Sequence, residues 1–309
     1  MKVSFVIPCY RSAHTIEQVV EEIECKMSSM DAHEYEIILV NDCSPDDTYE
    51  KIKELCKKYG EVIGINLARN FGQHSAIMAG LSMISGDVVV CLDDDGQTPP
   101  NEVDKLLNKI EEGYDVVYAE YGEKKHSAFR NFGSFLNKKM TEIMLNKPKE
   151  LYISSYFAAR RYVVDEMLKY SGAYPYVIGL ILRTTKNICN VSVNHRKRLE
   201  GSSGYTFRKL LALWVNGFTS FSVIPLRIAS YGGCVVAFIG FMYAIYTIIM
   251  KLLYSDRLIG WSSTISIILI LGGLLLLVLG MIGEYVGRIY INLNNSPQYV
   301  IRNVVRKDE

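Results

Sequence analysis

Three consecutive aspartates, Asp93-Asp94-Asp95, end the apolar run Val88–Leu92. An acidic triplet in isolation is usually a solvated loop. Carboxylates crowded at the end of a strand, however, repel one another strongly unless a cation joins them. An all-oxygen donor set suits a hard divalent ion, Mg²⁺ or Mn²⁺, which can in turn bridge phosphate oxygens. Arginines offer the complementary chemistry, because a planar guanidinium donates two parallel hydrogen bonds to a phosphate. Each candidate arginine also has a plainer reading. Arg161 could pair with Asp165 or Glu166 along a helix. Arg198 closes the basic cluster His195-Arg196-Lys197-Arg198, which could face anionic lipid.

These residues need a scaffold, and the first 120 residues alternate β-rich runs with helical patterns. Strands are expected at Val3–Pro8, Glu36–Asn41, Val62–Leu67, Val88–Asp93 and Val116–Ala119, with helices near 15–28, 46–59, 73–84 and 100–112. Thr15 with Gln18 fits a capping box, and Ser44-Pro45 and Thr98-Pro99 each place a cap before an N1 proline. Alternation with apolar strands means a mostly parallel, Rossmann-like sheet covered on both faces. Ligands then bind beyond the carboxyl ends of the strands. The unusual residues fall there: Pro8-Cys9-Tyr10, Asn41 to Asp46, Ala68 to His74, and Asp93 to Gln97. There is no G-x-G-x-x-G after the first strand and no P-loop, so a dinucleotide fingerprint and a P-loop nucleoside triphosphatase are excluded.

Lys plus Arg number 34 against 33 Asp plus Glu, a balance that argues against nucleic acid as a partner. That balance hides a division: residues 228–283 carry only Lys251, Asp256 and Arg257. The uncharged runs Ile228–Met250 and Leu258–Gly283 are long enough to span a bilayer, the alternative being two buried core helices. Two spans would return the chain to its starting side. Arg208, Lys209 and Arg227 before them, and Arg288, Arg302, Arg306 and Lys307 after them, place body and C-terminus in the cytoplasm by the positive-inside rule. Phe207, Leu210, Leu211, Trp214, Phe218 and Phe221 form one apolar stripe, read as an interfacial helix. The seven cysteines include no C-x-x-C pair, which fits a reducing compartment, and Tyr10 and Arg11 stop the first apolar run short of a signal segment.

The ordered motifs Val-Ile-Pro-Cys-Tyr (6–10), Val-Asn-Asp-Cys-Ser-Pro-Asp (40–46), Arg-Asn-Phe-Gly-Gln-His-Ser-Ala (69–76), Leu-Asp-Asp-Asp-Gly-Gln-Thr-Pro-Pro (92–100), Arg-Leu-Glu-Gly-Ser-Ser-Gly-Tyr (198–205) and Gly-Glu-Tyr-Val-Gly-Arg-Ile-Tyr (283–290) carry a resemblance. The chain resembles the family 2, GT-A-fold glycosyltransferases. With its two-span tail it is similar to the polyprenyl-phosphate branch, which includes dolichyl-phosphate mannose synthases and bacterial undecaprenyl-phosphate glucosyl and aminoarabinose-type transferases. The resemblance implies that Pro8, Tyr10 and Asp42 hold the uracil or ribose of a UDP-sugar, with Arg69 and Asp94 in support. It implies that Asp93, Asp95 and Gln97 bind Mg²⁺ or Mn²⁺ against the diphosphate. Arg130, Arg161 and Arg198 would gather donor and acceptor phosphates, and Ser203 and Tyr205 would belong to a closing loop. Two departures stand out: Arg11-Ser12-Ala13-His14 replaces an acidic cluster, and Ser154 or Ser155 stands where many relatives have Asp.

The expected organisation is a GT-A domain over 1–206, a juxtamembrane amphipathic helix over 207–227, a two-helix hairpin over 228–290 and a cytoplasmic tail over 291–309. The implied partners are a UDP-sugar, a polyprenyl phosphate and the bacterial inner membrane, and relatives are often homo-oligomers. A phosphate monoester is largely dianionic near neutrality, with a second pKa of about 6, so it needs no strong general base to attack a sugar C1. The helix pattern at Asn131–Met144 is expected to lie near the bilayer and guide the lipid toward Arg130. Two rivals remain, a processive polysaccharide synthase and a catalytically silent nucleotide-binding scaffold. The first would need several more spans and normally a Q-x-x-R-W motif, and the sequence shows neither.

Overall fold

The computed structural model describes residues 1–30, 34–121, 147–194, 224–253, 260–294 and 296–307. The expected lipid-guiding helix at 131–144 therefore lies outside the described residues, as do all but the last four residues of the expected juxtamembrane helix. Those four, Ile224 to Arg227, open the first helix of the hairpin instead.

Eight strands form one sheet: β1 (Lys2–Cys9), β2 (Glu34–Asn41), β3 (Val62–Leu67), β4 (Val88–Cys91), β5 (Val116–Tyr121), β6 (Phe157–Arg160), β7 (Ile188–Val193) and β8 (Ile301–Val305). Their order is β7-β5-β6-β4-β1-β2-β3-β8. β1, β2, β3 and β4 run parallel, as the alternation requires. β6 is antiparallel to both β4 and β5, and β8 is antiparallel to β3. Strands buried on both faces read as continuous apolar runs, which is why β1 and β4 were legible.

Helices α1 (Ile16–Ser28), α2 (Thr48–Lys58) and α4 (Val103–Glu111) cover one face around Phe5, Ile7, Ile23, Ile37 and Leu106. α3 (Gln73–Leu81), α5 (Arg161–Leu168) and α6 (Val177–Thr184) lie together, and α3 packs on β1 and β2. A Cβ on Gly80 would collide with Val6 and Val40, so glycine sets the closeness of α3 to the sheet.

The helix starts differ from the capping signals. Thr15 stands at the N-cap of α1 as expected, but its hydroxyl bonds the Ser12 carbonyl at 3.4 Å rather than a helix N–H, and Gln18 bonds Glu22 instead of closing the box. α2 begins only at Thr48, because Ser44 accepts from the Arg11 N–H and donates to Asp46 rather than capping. A 3₁₀ turn, Pro100–Glu102, precedes α4 and displaces its start to Val103.

The chain divides into two compact units, Met1–Thr206 with Asn295–Glu309, and Phe207–Asn294. The second contains two helices in contact, α7 (Ile224–Leu253) and α8 (Trp261–Leu293). At about 1.5 Å per residue they run roughly 45 and 50 Å. Ile270–Ile291 within α8 is long and apolar enough to cross a membrane, and none of its described residues is buried, unlike those of a core helix. Tyr231–Tyr243 in α7 is a shorter apolar stretch. Large side chains such as Phe238, Ile239, Leu275 and Leu276 point outward. The expected tail over 291–309 is corrected: Ile301–Val305 is an edge strand of the first unit, zipped to β3 from Gly64↔Val305 to Leu67↔Ile301.

Candidate active site

The loops after β1, β2, β3 and β4 meet at one end of the sheet and are laced together by their own polar groups. Asp42 is only 4% exposed, and its carboxylate accepts the N–H groups of Phe71 at 2.7 Å and Gly72 at 2.8 Å. Burial pushes its pKa up, and the two backbone bonds oppose that. Gly72 has φ +90°, a conformation that glycine adopts without a Cβ clash, and it sets the entry of α3. Arg11 (φ 59°) and Cys43 (φ 50°) also sit in the left-handed region, in the first two of these loops. Non-glycine residues held there gather at functional loops. The Ser12 N–H donates to Thr48 Oγ1 at 2.9 Å, fastening the first loop to α2.

Above this lacework lies the acidic loop. The Tyr10 N–H donates to Asp94 Oδ2 at 3.0 Å, joining the β1 and β4 loops. Gln73 Nε2 donates to Asp93 Oδ1 at 2.9 Å, and the Ser155 hydroxyl donates to Asp93 Oδ2. The Gln97 N–H donates to Asp95 Oδ1 at 3.0 Å. Burial, followed by repulsion from Asp95 and Asp94, pushes the Asp93 pKa up to about 6 against the pull of the Ser155 and Gln73 bonds. Burial also raises Asp94. No ion pair among the described residues neutralises Asp93 or Asp94.

This donor set fits a hard divalent cation. Among the described residues no three carboxylate, thiol or imidazole side chains converge into a complete cage. The arrangement therefore suits an ion held by one or two carboxylates and completed by phosphate oxygens and water, the usual habit of Mg²⁺.

The remaining expected residues fall as follows. Pro8 is buried in β1 opposite Val40, beyond the Val6↔Cys91 end of the β4 ladder, so its missing N–H breaks no bond to β4. Tyr10 is 46% exposed at the mouth, and the Arg11 guanidinium lies 5.6 Å from its ring centroid. Arg69 is exposed in the loop after β3, 4.6 Å from the Phe71 ring centroid. Arg130, Arg198, Ser203 and Tyr205 lie outside the described residues.

Arg161 is a correction. Its N–H bonds the Asp87 carbonyl at 2.9 Å, and Arg160 stands opposite Val88, at the start of β4 rather than its end. At about 3.3 Å per strand residue, that is roughly 15–20 Å from Asp93. Its guanidinium is spent on Asp165 at 2.8 Å and the Ile84 carbonyl at 3.1 Å, the helical pairing that was its plainer reading.

Two contributors were not singled out from the sequence as metal-side residues, Gln73 and Ser155. Gln73 sits inside the 69–76 motif, and Ser155 was noted only as a departure. His74 follows Gln73, edge-on to Tyr176 with ring centroids 5.2 Å apart. Burial pushes the His74 pKa down to about 4, so the ring is neutral at pH 7.

Comparison with known proteins places this architecture. The glycosyl transferase family 2 model matches residues 4–168, and the GtrB C-terminal hairpin model matches residues 224–289. The chain is 32% identical to the undecaprenyl-phosphate 4-deoxy-4-formamido-L-arabinose transferase of Klebsiella pneumoniae (strain 342), over 100% of this chain and 95% of that one. It is 35% identical to the enzyme of the same name from Proteus mirabilis (strain HI4320), over 98% and 94%. Among solved structures it is similar to glucosyl-3-phosphoglycerate synthase from Mycobacterium tuberculosis, crystallised with Mn²⁺ and UDP-glucose. That match has a TM-score of 0.54 and 19% identity over 71% of this chain and 77% of that one, and it speaks to the fold. With a family model over more than half of the chain and relatives matched along nearly their whole length, the chain belongs to glycosyl transferase family 2 and is a glycosyltransferase.

Proposed function

We propose that this protein is a membrane-anchored, inverting glycosyltransferase that moves one sugar from a UDP donor onto undecaprenyl phosphate. The observation that carries the proposal is the acidic loop at the mouth of the sheet, where Asp93 and Asp94 converge without a protein cation among the described residues. Full-length relatives named for undecaprenyl-phosphate transfer support the acceptor, and the Mn²⁺ and UDP-glucose in the structural neighbour support the donor class.

Asp93 and Asp95, with Gln97, would hold Mg²⁺ or Mn²⁺; when bound, the ion neutralises charge on the departing diphosphate. Asp42 and Tyr10 shape the nucleotide side of the mouth, Asp42 by fixing the turn at Phe71-Gly72 and Tyr10 by offering an exposed ring. Arg130 and Arg198 are proposed to draw the acceptor phosphate toward the sugar C1, with Ser203 and Tyr205 closing over it. Arg161 takes no part. The acceptor's phosphate oxygen forms the new bond to C1 as the bond from C1 to the UDP oxygen breaks. The phosphate arrives already ionised, so no protein base is required. One displacement inverts the anomeric centre.

The proposed anchor is a two-span hairpin in the bacterial inner membrane, with body and C-terminus cytoplasmic. Since β8 belongs to the same sheet as β1 to β4, the chain must leave that unit and return to it, which supports an even number of crossings. A homo-oligomer is part of the proposal by analogy with relatives. Purified protein given undecaprenyl phosphate and a panel of UDP-sugars tests the reading. Lipid-linked monosaccharide supports it, polymer points to a processive synthase, and nucleotide binding without turnover points to a scaffold.

A further inference from the structure

The Asp93 carboxylate is gripped from two sides by separate elements. Gln73, the first residue of α3, donates to Oδ1 at 2.9 Å. Ser155, two residues before β6, donates to Oδ2. Both donors are themselves fixed. The turn into α3 is held by the Asp42 carboxylate on Phe71 and Gly72. Around Ser155, the Ser154 hydroxyl bonds the Tyr156 carbonyl at 2.8 Å, and the fully buried Tyr156 bonds the Pro99 carbonyl at 3.3 Å. A carboxylate has about four lone-pair sites, so these two bonds leave one on each oxygen and fix the plane in which those sites point.

We propose that Gln73 and Ser155 are positioning residues that orient Asp93 for the divalent cation. This rests on the metal reading given under Proposed function. Both donors are neutral, so they set direction without cancelling the charge that attracts the ion. Outer-shell partners of this kind typically change metal affinity about 10–100-fold when removed. A competing role predicts the opposite sign. If the two bonds merely satisfied a metal-free carboxylate and had to break on binding, their removal would tighten the ion.

The test titrates Mn²⁺ into full-length protein in detergent, with and without UDP, and follows free Mn²⁺ by electron paramagnetic resonance. Gln73→Met keeps length and removes the donor; Ser155→Ala removes the hydroxyl, and Ser155→Thr retains it. The expected result is affinity weakened 10–100-fold in Gln73→Met and in Ser155→Ala, and within threefold of the parent in Ser155→Thr. Thermal melts identify any variant that has lost its fold, and the remaining variant then decides. Unchanged or tighter Mn²⁺ binding in folded Gln73→Met and Ser155→Ala overturns the inference. Asp93→Asn separates the two claims: if it binds Mn²⁺ like the parent, the metal reading itself falls.

Discussion

Asp93 and Asp94 concentrate negative charge that, among the described residues, meets neutral hydrogen bonding, including that from Gln73, Ser155 and the Tyr10 backbone, and no ion pair. Removing one charge should therefore cost activity while relieving the metal-free fold. We expect Asp93→Asn to lower transfer at least about 100-fold, as loss of a charge-stabilising group at a reacting centre does. A radiolabelled-sugar assay measures this. His74 makes a separate prediction. Its folded pKa of about 4 lies below the ordinary value of 6.5, so its stabilising effect is present above pH 6.5 and is lost as pH falls toward 4. His74→Gln should flatten the acid arm of the melting curve over that window, by up to about 3 kcal/mol. An unchanged acid arm would mean that other groups control it. The aspartates were legible in the sequence because they end an apolar strand. Gln73 was not, because its reach to Asp93 depends on a helix entered through one left-handed glycine.

At the scale of elements, the parallel strands β1 to β4 could be read from runs of Val, Ile and Leu between well-spaced helices. β6 could not. Nothing in Phe157–Arg160 states its direction, and the antiparallel turn of that one strand carries Arg161 to the far end of the sheet. β8 was hidden for a related reason: five residues after a long apolar helix look like a tail until β3 offers an unpaired edge. The far end of the sheet has its own lock. Glu36 on β2 accepts Ser4 Oγ at 2.5 Å, the Ser85 N–H at 2.6 Å and Ser85 Oγ at 2.7 Å. Those serine bonds overcome burial and hold its pKa below the usual range. Glu36→Ala should take the partner from the buried Ser4 hydroxyl and from the more exposed Ser85 donors, and lower stability by about 1–3 kcal/mol. Because the lock is remote from Asp93, Mn²⁺ affinity measured on the folded variant should stay unchanged.

Across the whole molecule, the sheet unit and the apolar helix pair are linked twice by the chain, once before α7 and once between α8 and β8. The proposed two-span topology makes a direct labelling prediction. In spheroplasts, a membrane-impermeant maleimide should modify Ser255→Cys, which lies in the sequence between the two proposed spans. It should reach the exposed thiols Cys25 and Cys43 of the body only after lysis. Labelling of all three in intact cells, or of none, would contradict that arrangement. The central claim is tested most directly by purified full-length protein with undecaprenyl phosphate and a UDP-sugar panel, read by mass spectrometry of the lipid. The account predicts one monosaccharide joined to the lipid phosphate, abolished by chelation, restored by Mg²⁺ or Mn²⁺ and absent in Asp93→Asn. Polymer, no lipid-linked product from any donor, or undiminished transfer in chelator would contradict it.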